Sequence, residues 1–278
     1  MAIISIQSQV ITGHVGNSAA VPALQLRGHE VWAVPTVLLS HHPGHGGARG
    51  AAVAGEWFAE LVEGMAFRGS FGSCEAVISG YLGSQAAAGL VEDVLRRVRP
   101  RAVYLCDPVI GDDGRRYVSP EIATCVHHLA TLADILTPNA YELAQLSGHA
   151  PADRAEAVMA MRTVQMLGPK IVVVTSFQGR DTPPETLDVL AVDGAAAWRV
   201  SVPKIDRKFS GAGDLFAALF LSFYLADRDA RAALGQSCAL LQEVLIQTKN
   251  LATDELALVA SRHQLISHRP LVLAEPLA

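Results

Sequence analysis

Short β-branched runs alternate along this chain with longer stretches of helical period. Apolar runs at 3–6, 31–34, 75–78, 102–106, 134–136 and 171–175 predict strands. Between them, patterns at 17–26, 55–65, 85–98, 122–132, 140–146 and 154–167 predict helices. Strands alternating with helices of this length point to an α/β fold. Ile171-Val172-Val173-Val174 is apolar on both faces, as expected of a parallel strand covered by helices on each side. The expected sheet is mostly parallel.

The pattern shifts after residue 184. Runs at 186–192 and 196–201 flank Asp193-Gly194, a dipeptide that suits a tight antiparallel turn, so a hairpin is expected at the sheet edge. Helical patterns return at 214–226, 230–249 and 255–264. With no linker, repeat or low-complexity run, the chain reads as one domain over residues 1–278. The stretch 41–49, His-His-Pro-Gly-His-Gly-Gly-Ala-Arg, is loop-like and reads as a mobile flap.

Composition narrows the class of partner. Half of the residues are apolar, enough for a sizeable core. Twenty-two basic against 27 acidic residues, without a basic tract, argue against nucleic acid or an anionic membrane and for a small partner. Cys74, Cys106, Cys125 and Cys238 lack CxxC spacing, so neither zinc nor a disulfide framework is expected. No leader-like N-terminus is present, and no apolar run approaches the roughly 18 residues of a membrane span. The expected compartment is the reducing cytoplasm.

The chemistry centres on Ser210-Gly211-Ala212-Gly213-Asp214, which runs into the apolar segment from Leu215 to Leu221. Its glycines permit a tight turn that aims several N–H groups one way, and the following helix adds its positive end. Phosphate fits such a place. A carboxylate there is a poor phosphate ligand, so Asp214 is expected to take a proton from a hydroxyl attacking phosphorus. The plainer reading is a helix start with an acidic first turn. No third glycine follows, and no Gly-Lys-Ser/Thr is present, so neither a dinucleotide fingerprint nor a P-loop is indicated.

In a doubly wound sheet ligands gather beyond the carboxyl ends of the strands, where Ser8, Tyr81, Asp107, Thr137, Thr175 and Ser176 fall. Asp107, Asp112 and Glu142 suit a hydrated Mg²⁺, which prefers oxygen ligands and keeps several waters. Asp112-Asp113-Gly114 reads equally as an ordinary turn, and Asn139 to Glu142 as a helix start. His41, His42 and His45 lack the cysteine or His-Glu-x-x-His context of a zinc site and read as an exposed loop able to touch substrate.

Taken in order, Ile6-Gln7-Ser8, Gly13-His14-Val15-Gly16-Asn17, Ser79-Gly80-Tyr81, Cys106-Asp107-Pro108-Val109, Thr137-Pro138-Asn139, Glu142 and Gly211-Ala212-Gly213-Asp214-Leu215-Phe216-Ala217-Ala218 closely resemble the pyridoxal kinases of the ribokinase-like superfamily. The resemblance implies a three-layer α/β sandwich, a homodimer, and ATP-dependent phosphorylation of the 5′-hydroxymethyl group of pyridoxal, usually also of pyridoxine and pyridoxamine. By position it makes Asp214 the general base and the amides of Gly211, Ala212 and Gly213 the stabilisers of the transferring phosphoryl group. Asp107, Asp112, Thr137 and Glu142 match positions that arrange Mg²⁺, a monovalent cation such as K⁺, and the phosphates. Thr175 matches a nucleotide phosphate contact, and Val202, Pro203, Lys204 and Ile205 a nucleotide-side loop. Ser8 matches the residue that holds the pyridine ring, and Tyr81 an aromatic near substrate and the inner phosphates.

The flap departs from the family. Members commonly read Ser-Asn-His-Thr-x-Tyr, where this chain has Ser40-His41-His42-Pro43-Gly44-His45, so Pro43 replaces a threonine that usually bonds the substrate. Losing one neutral hydrogen bond costs on the order of 1 kcal/mol, or several-fold in affinity, and His45 is expected to restore part of the contact. Three other readings stand beside this one. A hydroxymethylpyrimidine kinase often carries cysteine where Asp214 stands. A non-catalytic B6-vitamer-binding protein would have no need of that base. A sugar or nucleoside kinase would carry a lid strand pair where this chain has 41–49.

Overall fold

The computed structural model describes residues 1–267 and 272–277. Strand β1 (Ala2–Val10) leads through helix α1 (Asn17–Leu26) to β2 (Glu30–Leu39), β3 (Gly50–Ala52) and α2 (Gly55–Phe67). Next come β4 (Cys74–Ser79), α3 (Gln85–Val98), β5 (Val103–Cys106) and a small ribbon of β6 (Gly111–Asp112) with β7 (Arg115–Arg116). The chain continues through α4 (Pro120–Leu132), β8 (Ile135–Leu136), α5 (Ala140–Ser147), α6 (Arg154–Gln165) and β9 (Ile171–Phe177). The remainder holds β10 (Thr186–Asp193), β11 (Ala196–Pro203), α7 (Ala212–Asp227), α8 (Ala230–Asn250), α9 (Arg262–Ser267) and β12 (Glu275–Pro276).

Ten strands form one sheet in the order β12-β11-β10-β9-β8-β5-β4-β1-β2-β3. Pairing is parallel from β9 across to β2, with antiparallel partners at both ends. Successive strand residues face opposite sides. Thus Ile3, Ala76, Ile78 and Leu105 pack with α1, α7 and α8, whereas Ile4, Val77 and Tyr104 pack against the face that holds α3, α4 and α6. Helix, sheet, helix is the three-layer α/β arrangement expected of the alternating pattern. From β1 the chain winds outward to β2, then returns to β4 on the other side. The reversal opens a crevice beyond the carboxyl ends of β1 and β4, the place where doubly wound sheets bind ligands.

The hairpin expected after residue 184 is present as β10 and β11, turned at Gly194 and Ala195, one residue beyond the expected Asp193-Gly194, with Asp193 paired to Ala196 and Gly194 at positive φ. Elsewhere the chain departs from its pattern for identifiable reasons. Strand β1 runs on to Val10 through Gln7, Ser8 and Gln9, whose polarity hid it. Strand β2 continues past Pro35, because β1 pairs with it on both sides of the register slip and β3 pairs with Val37, Leu38 and Leu39 on the other edge. The stretch 41–49 is therefore the tip of a β2–β3 hairpin rather than a free loop. A helix expected at 255–264 begins only at Arg262. Residues 255–257 are held out of helical geometry: the Glu255 carboxylate accepts the His14 N–H at 3.1 Å, and the Ala257 N–H donates to Thr248 Oγ1 at 2.9 Å. The short partners β3, β6, β7 and β12 carry too few residues to show a period.

Candidate active site

Helix α7 begins at the glycine turn. Gly211 caps it with φ 83°, and the helix then buries every residue from Leu215 to Phe223 between sheet, α1 and α8. That burial fixes the helix start in place. Gly211 is indispensable there, because a Cβ would lie 2.0 Å from the His14 carbonyl oxygen. The Ala212 N–H donates to the Phe209 carbonyl at 3.3 Å, so this amide is turned inward. The N–H groups of Gly213 and Asp214 belong to the first turn and have no acceptor within the helix.

Asp214 retains some exposure to the cleft, yet burial of its carboxyl group pushes its pKa up to about 6, opposed by a hydrogen bond from the Gly16 N–H. Gly16 lies between Asp214 and Ser8. Its φ is 52°, and a Cβ would sit 2.2 Å from Ser8 Oγ. Ser8 marks a slip in the β1–β2 register between Gln7 and Gln9, a bulge that re-aims its side chain into the crevice. The two glycine turns thus bring the candidate base and the candidate ring-holding serine to one place.

Asp107 directly follows β5, with an oxygen 4.0 Å from where a Cβ on Gly213 would stand. Burial, then the charges of Glu142 and Asp214, hold its carboxyl well above the usual carboxylate range, while Thr137 Oγ1 donates to it at 3.4 Å. Glu142 forms a capping box with Asn139 at the start of α5. Its Oε1 accepts from the Ile110 N–H at 2.9 Å and the Gly111 N–H at 3.4 Å, and its Oε2 from the Asn139 N–H at 2.9 Å. Burial outweighs those bonds and raises its pKa to about 7. Asp112 closes β6 and is half-buried, which raises its pKa against a bond from the Asp113 N–H. Among the described residues, no group of three His, Cys, Asp or Glu side chains converges closely enough to hold a metal ion. The expected set of Asp107, Asp112 and Glu142 is therefore no closed cage.

On the other side of Asp107, Thr175 bridges to Asn139 and donates its N–H to the Pro138 carbonyl at 2.9 Å. The following Ser176 takes φ 55°, rare for a residue with a side chain. Val202 and Pro203 end β11, and Lys204 Nζ donates to Gln178 Oε1 at 2.9 Å, close to Ile205. Tyr81 follows β4, anchored by Thr36 Oγ1 donating to its carbonyl at 2.6 Å.

The flap hairpin folds toward the glycine turn. Pro43, Gly44 and His45 form one exposed helical turn. His42 Nδ1 lies 3.3 Å from Ser210 Oγ, and His45 Nε2 lies 3.1 Å from Glu255 Oε1. The sequence pattern places Glu255 in a helix and gives no sign of its contact with the flap, and it includes Ser210 only as the first residue of the glycine turn, without a role of its own. Gly16 appeared only as part of a string. The spacing Gly13-x-x-Gly16 was the available signal of a close backbone approach.

The family model for phosphomethylpyrimidine kinase matches residues 67–257. Pyridoxal kinase PdxY of Granulibacter bethesdensis is 41% identical over 277 residues, covering 96% of this chain and 96% of the relative. Pyridoxal kinase PdxY of Rubrobacter xylanophilus is 41% identical over 271 residues, covering 95% and 93%. The structure of pyridoxal kinase from Leishmania donovani with ADP and pyridoxamine superposes with a TM-score of 0.91 at 31% identity, over 100% of this chain and 99% of that one. Its fold is the one described above. By the extent of these matches, the chain belongs to the pyridoxal kinase family of ribokinase-like proteins.

Proposed function

We propose that this protein transfers the γ-phosphate of ATP to the 5′-hydroxymethyl group of pyridoxal, and of pyridoxine and pyridoxamine, forming pyridoxal 5′-phosphate in B6 salvage. The observation that carries the reading is Asp214, a carboxylate with pKa about 6 beside the free amides of a glycine-capped helix start. A base of that strength is largely ionised near neutral pH, yet able to accept a proton. Asp214 takes the proton of the hydroxymethyl group as its oxygen attacks the γ-phosphorus. The bond to the β-phosphate oxygen breaks, and ADP leaves with the electron pair. The Gly211 and Gly213 backbone and the dipole of α7 stabilise the charge on the moving group. Ser8 holds the ring, Tyr81 lies along the substrate, and Pro43, Gly44 and His45 cover it. Thr137, Thr175 and the Val202–Ile205 loop serve the nucleotide.

The donor set fits Mg²⁺ in one respect. Asp107 is buried among like charges, so a cation would relieve it, whereas both oxygens of Glu142 are occupied by backbone N–H groups. Mg²⁺ would be held by Asp107, with Asp112 and Glu142 acting through water and phosphate oxygens, and would neutralise phosphate charge. A monovalent cation such as K⁺ belongs to the same reading, supported by family membership alone. Among the described residues no helix is long and apolar enough to cross a membrane. A cytoplasmic enzyme without nucleic-acid or membrane partners belongs to the same reading, supported by the mildly acidic charge balance and the lack of a basic tract. One sheet that joins the N-terminal strand β1 with the C-terminal strand β12, between edges β3 and β12, supports a single kinase domain; residues 268–271 and 278 of the 1–278 span lie outside the described residues. A homodimer belongs to the same reading, supported by family membership alone.

Formation of pyridoxal phosphate, followed by absorbance with Mg-ATP and each of the three vitamers, tests the reading. Asp214→Asn is expected to bind pyridoxal yet lose at least about 100-fold in kcat, as expected on removing a general base. A hydroxymethylpyrimidine, the substrate of the alternative kinase reading, is included as the second acceptor, in keeping with the phosphomethylpyrimidine kinase family model that matches the chain. Turnover of that compound alone would replace pyridoxal, and binding without turnover of any would leave a vitamer-binding protein.

A further inference from the structure

The segment Gly13 to Asn17 contributes Gly16 to the site, but its last residue has no part in the chemistry described so far. Asn17 is the first residue of α1, is 1% exposed, and lies directly beneath the Ser8 bulge. Its Nδ2 donates to the Gln7 carbonyl at 3.2 Å and to the Val34 carbonyl at 3.3 Å. Its Oδ1 accepts from Ser5 Oγ at 2.7 Å, and Ser5 Oγ in turn accepts from Gln7 Nε2 at 3.0 Å. One buried carboxamide therefore ties β1 to β2 where their register slips. It is fixed to the chain one residue after Gly16.

We propose that Asn17 is a positioning residue: its carboxamide holds the turn that aims the Gly16 N–H at Asp214 and the Ser8 side chain at the same cleft. Each alternative at this position fails on a count of donors and acceptors. Asp lacks the two donors and would face two carbonyls with negative oxygens, whereas Ala and Leu leave the Ser5 hydroxyl without its acceptor and remove the side-chain tie between β1 and β2, whose two carbonyls keep only their ladder partners. The Ser5 hydroxyl selects the amide orientation by donating to Oδ1. Gly16 has no slack of its own, since its space against Ser8 and its positive φ admit no other residue. A shift at Asn17 is therefore transmitted to both Ser8 and Asp214.

The inference rests on the kinase reading, and the experiment separates the two. Wild type, Asn17→Ala and Ser5→Ala are compared in H₂O and D₂O, with rates normalised to the folded fraction from circular dichroism. Asn17→Ala is expected to lower kcat by about 10–100-fold, in line with a displacement of an ångström or less at the reacting groups. The KM for ATP should stay within about twofold, and that for pyridoxal should rise as Ser8 loses its place. The solvent isotope effect on kcat should increase, because a displaced Asp214 makes removal of the hydroxyl proton slower. Loss of folded protein alone would not change an isotope effect. If Asn17→Ala does not fold, Ser5→Ala, which removes only the orienting hydroxyl, should show the same change in weaker form. Unchanged isotope effects and pyridoxal KM in the variants that fold would overturn the role of Asn17 and leave the kinase reading intact. An inactive wild type would overturn both.

Discussion

Asp214 is the residue whose environment is most nearly explained by its task. Burial raises its carboxyl toward neutrality, and the Gly16 N–H stops it short, at about 6. Asp107 is raised as well, first by burial and then by the charges of Glu142 and Asp214. The acid side of kcat/KM, which reports the free enzyme, should therefore fall off near pH 6. Asp107→Asn should lower the rate but leave that limb in place; a limb near pH 4 would show that the base is not desolvated. Asp214, Asp107 and Ser8 were legible as residues directly after strands or glycines. Glu255 was not, nor was the contact that Ser210 makes, because their partners, His45, His14 and His42, lie far away in sequence and meet them only through the fold. Glu142 was legible as an acidic residue in a first turn. Its actual work is to receive three backbone N–H groups, and that shows only once the β6 loop is seen to fold back upon it.

Among the elements, the edge hairpin carries the clearest energetic commitment. Asp188 on β10 is fully buried, and it accepts from Arg154 Nε at 2.7 Å, Thr182 Oγ1 at 2.7 Å and Ser201 Oγ at 2.5 Å. Burial opposes its charge, but Arg154 and the two hydroxyls more than compensate, so its pKa is depressed. Arg154 starts α6, so this one carboxylate ties both hairpin strands to a helix of the opposite layer. Asp188→Ala strands the guanidinium and two hydroxyls, and should cost about 3–5 kcal/mol in urea unfolding. A cost under about 1 kcal/mol would mean that water replaces the carboxylate without penalty. The hairpin itself was readable from Asp193-Gly194 between two β-branched runs. Its fastening was not, because an Asp in a strand pattern reads as an outward-facing residue. Strands β1 and β2 were readable only in their apolar halves. Their continuation into the site runs through Gln7, Ser8 and Gln9 and across Pro35, so pattern fails where the strands turn to function.

For the molecule as a whole, the doubly wound sheet gathers carboxylates that resist ionisation. Asp107, Glu142 and Asp214 all have raised pKa values, which means that ionising them costs the folded state something the unfolded chain does not bear. Each is most favourable to folding below its unfolded pKa near 4, and that contribution is lost as pH rises through about 6 for Asp214 and about 7 for Glu142. Histidines complicate the total. His29, His42 and His127 have lowered pKa values, chiefly from burial, and push stability the other way as pH rises through their range. The difference between Asp214→Asn and wild type cancels the histidines, since both proteins share them. Near pH 4 the two should melt together. By pH 7.5 the inactive variant should be the more stable by on the order of 1 kcal/mol, or about 2–4 °C, the signature of a site that sacrifices stability for a usable base. Adding Mg-ADP should narrow the gap, because a bound cation stabilises the ionised cluster of the wild type more than that of the variant. A gap that is absent at pH 7.5, or that favours the wild type, would mean that Asp214 ionises without strain and that its burial does not tune it for catalysis.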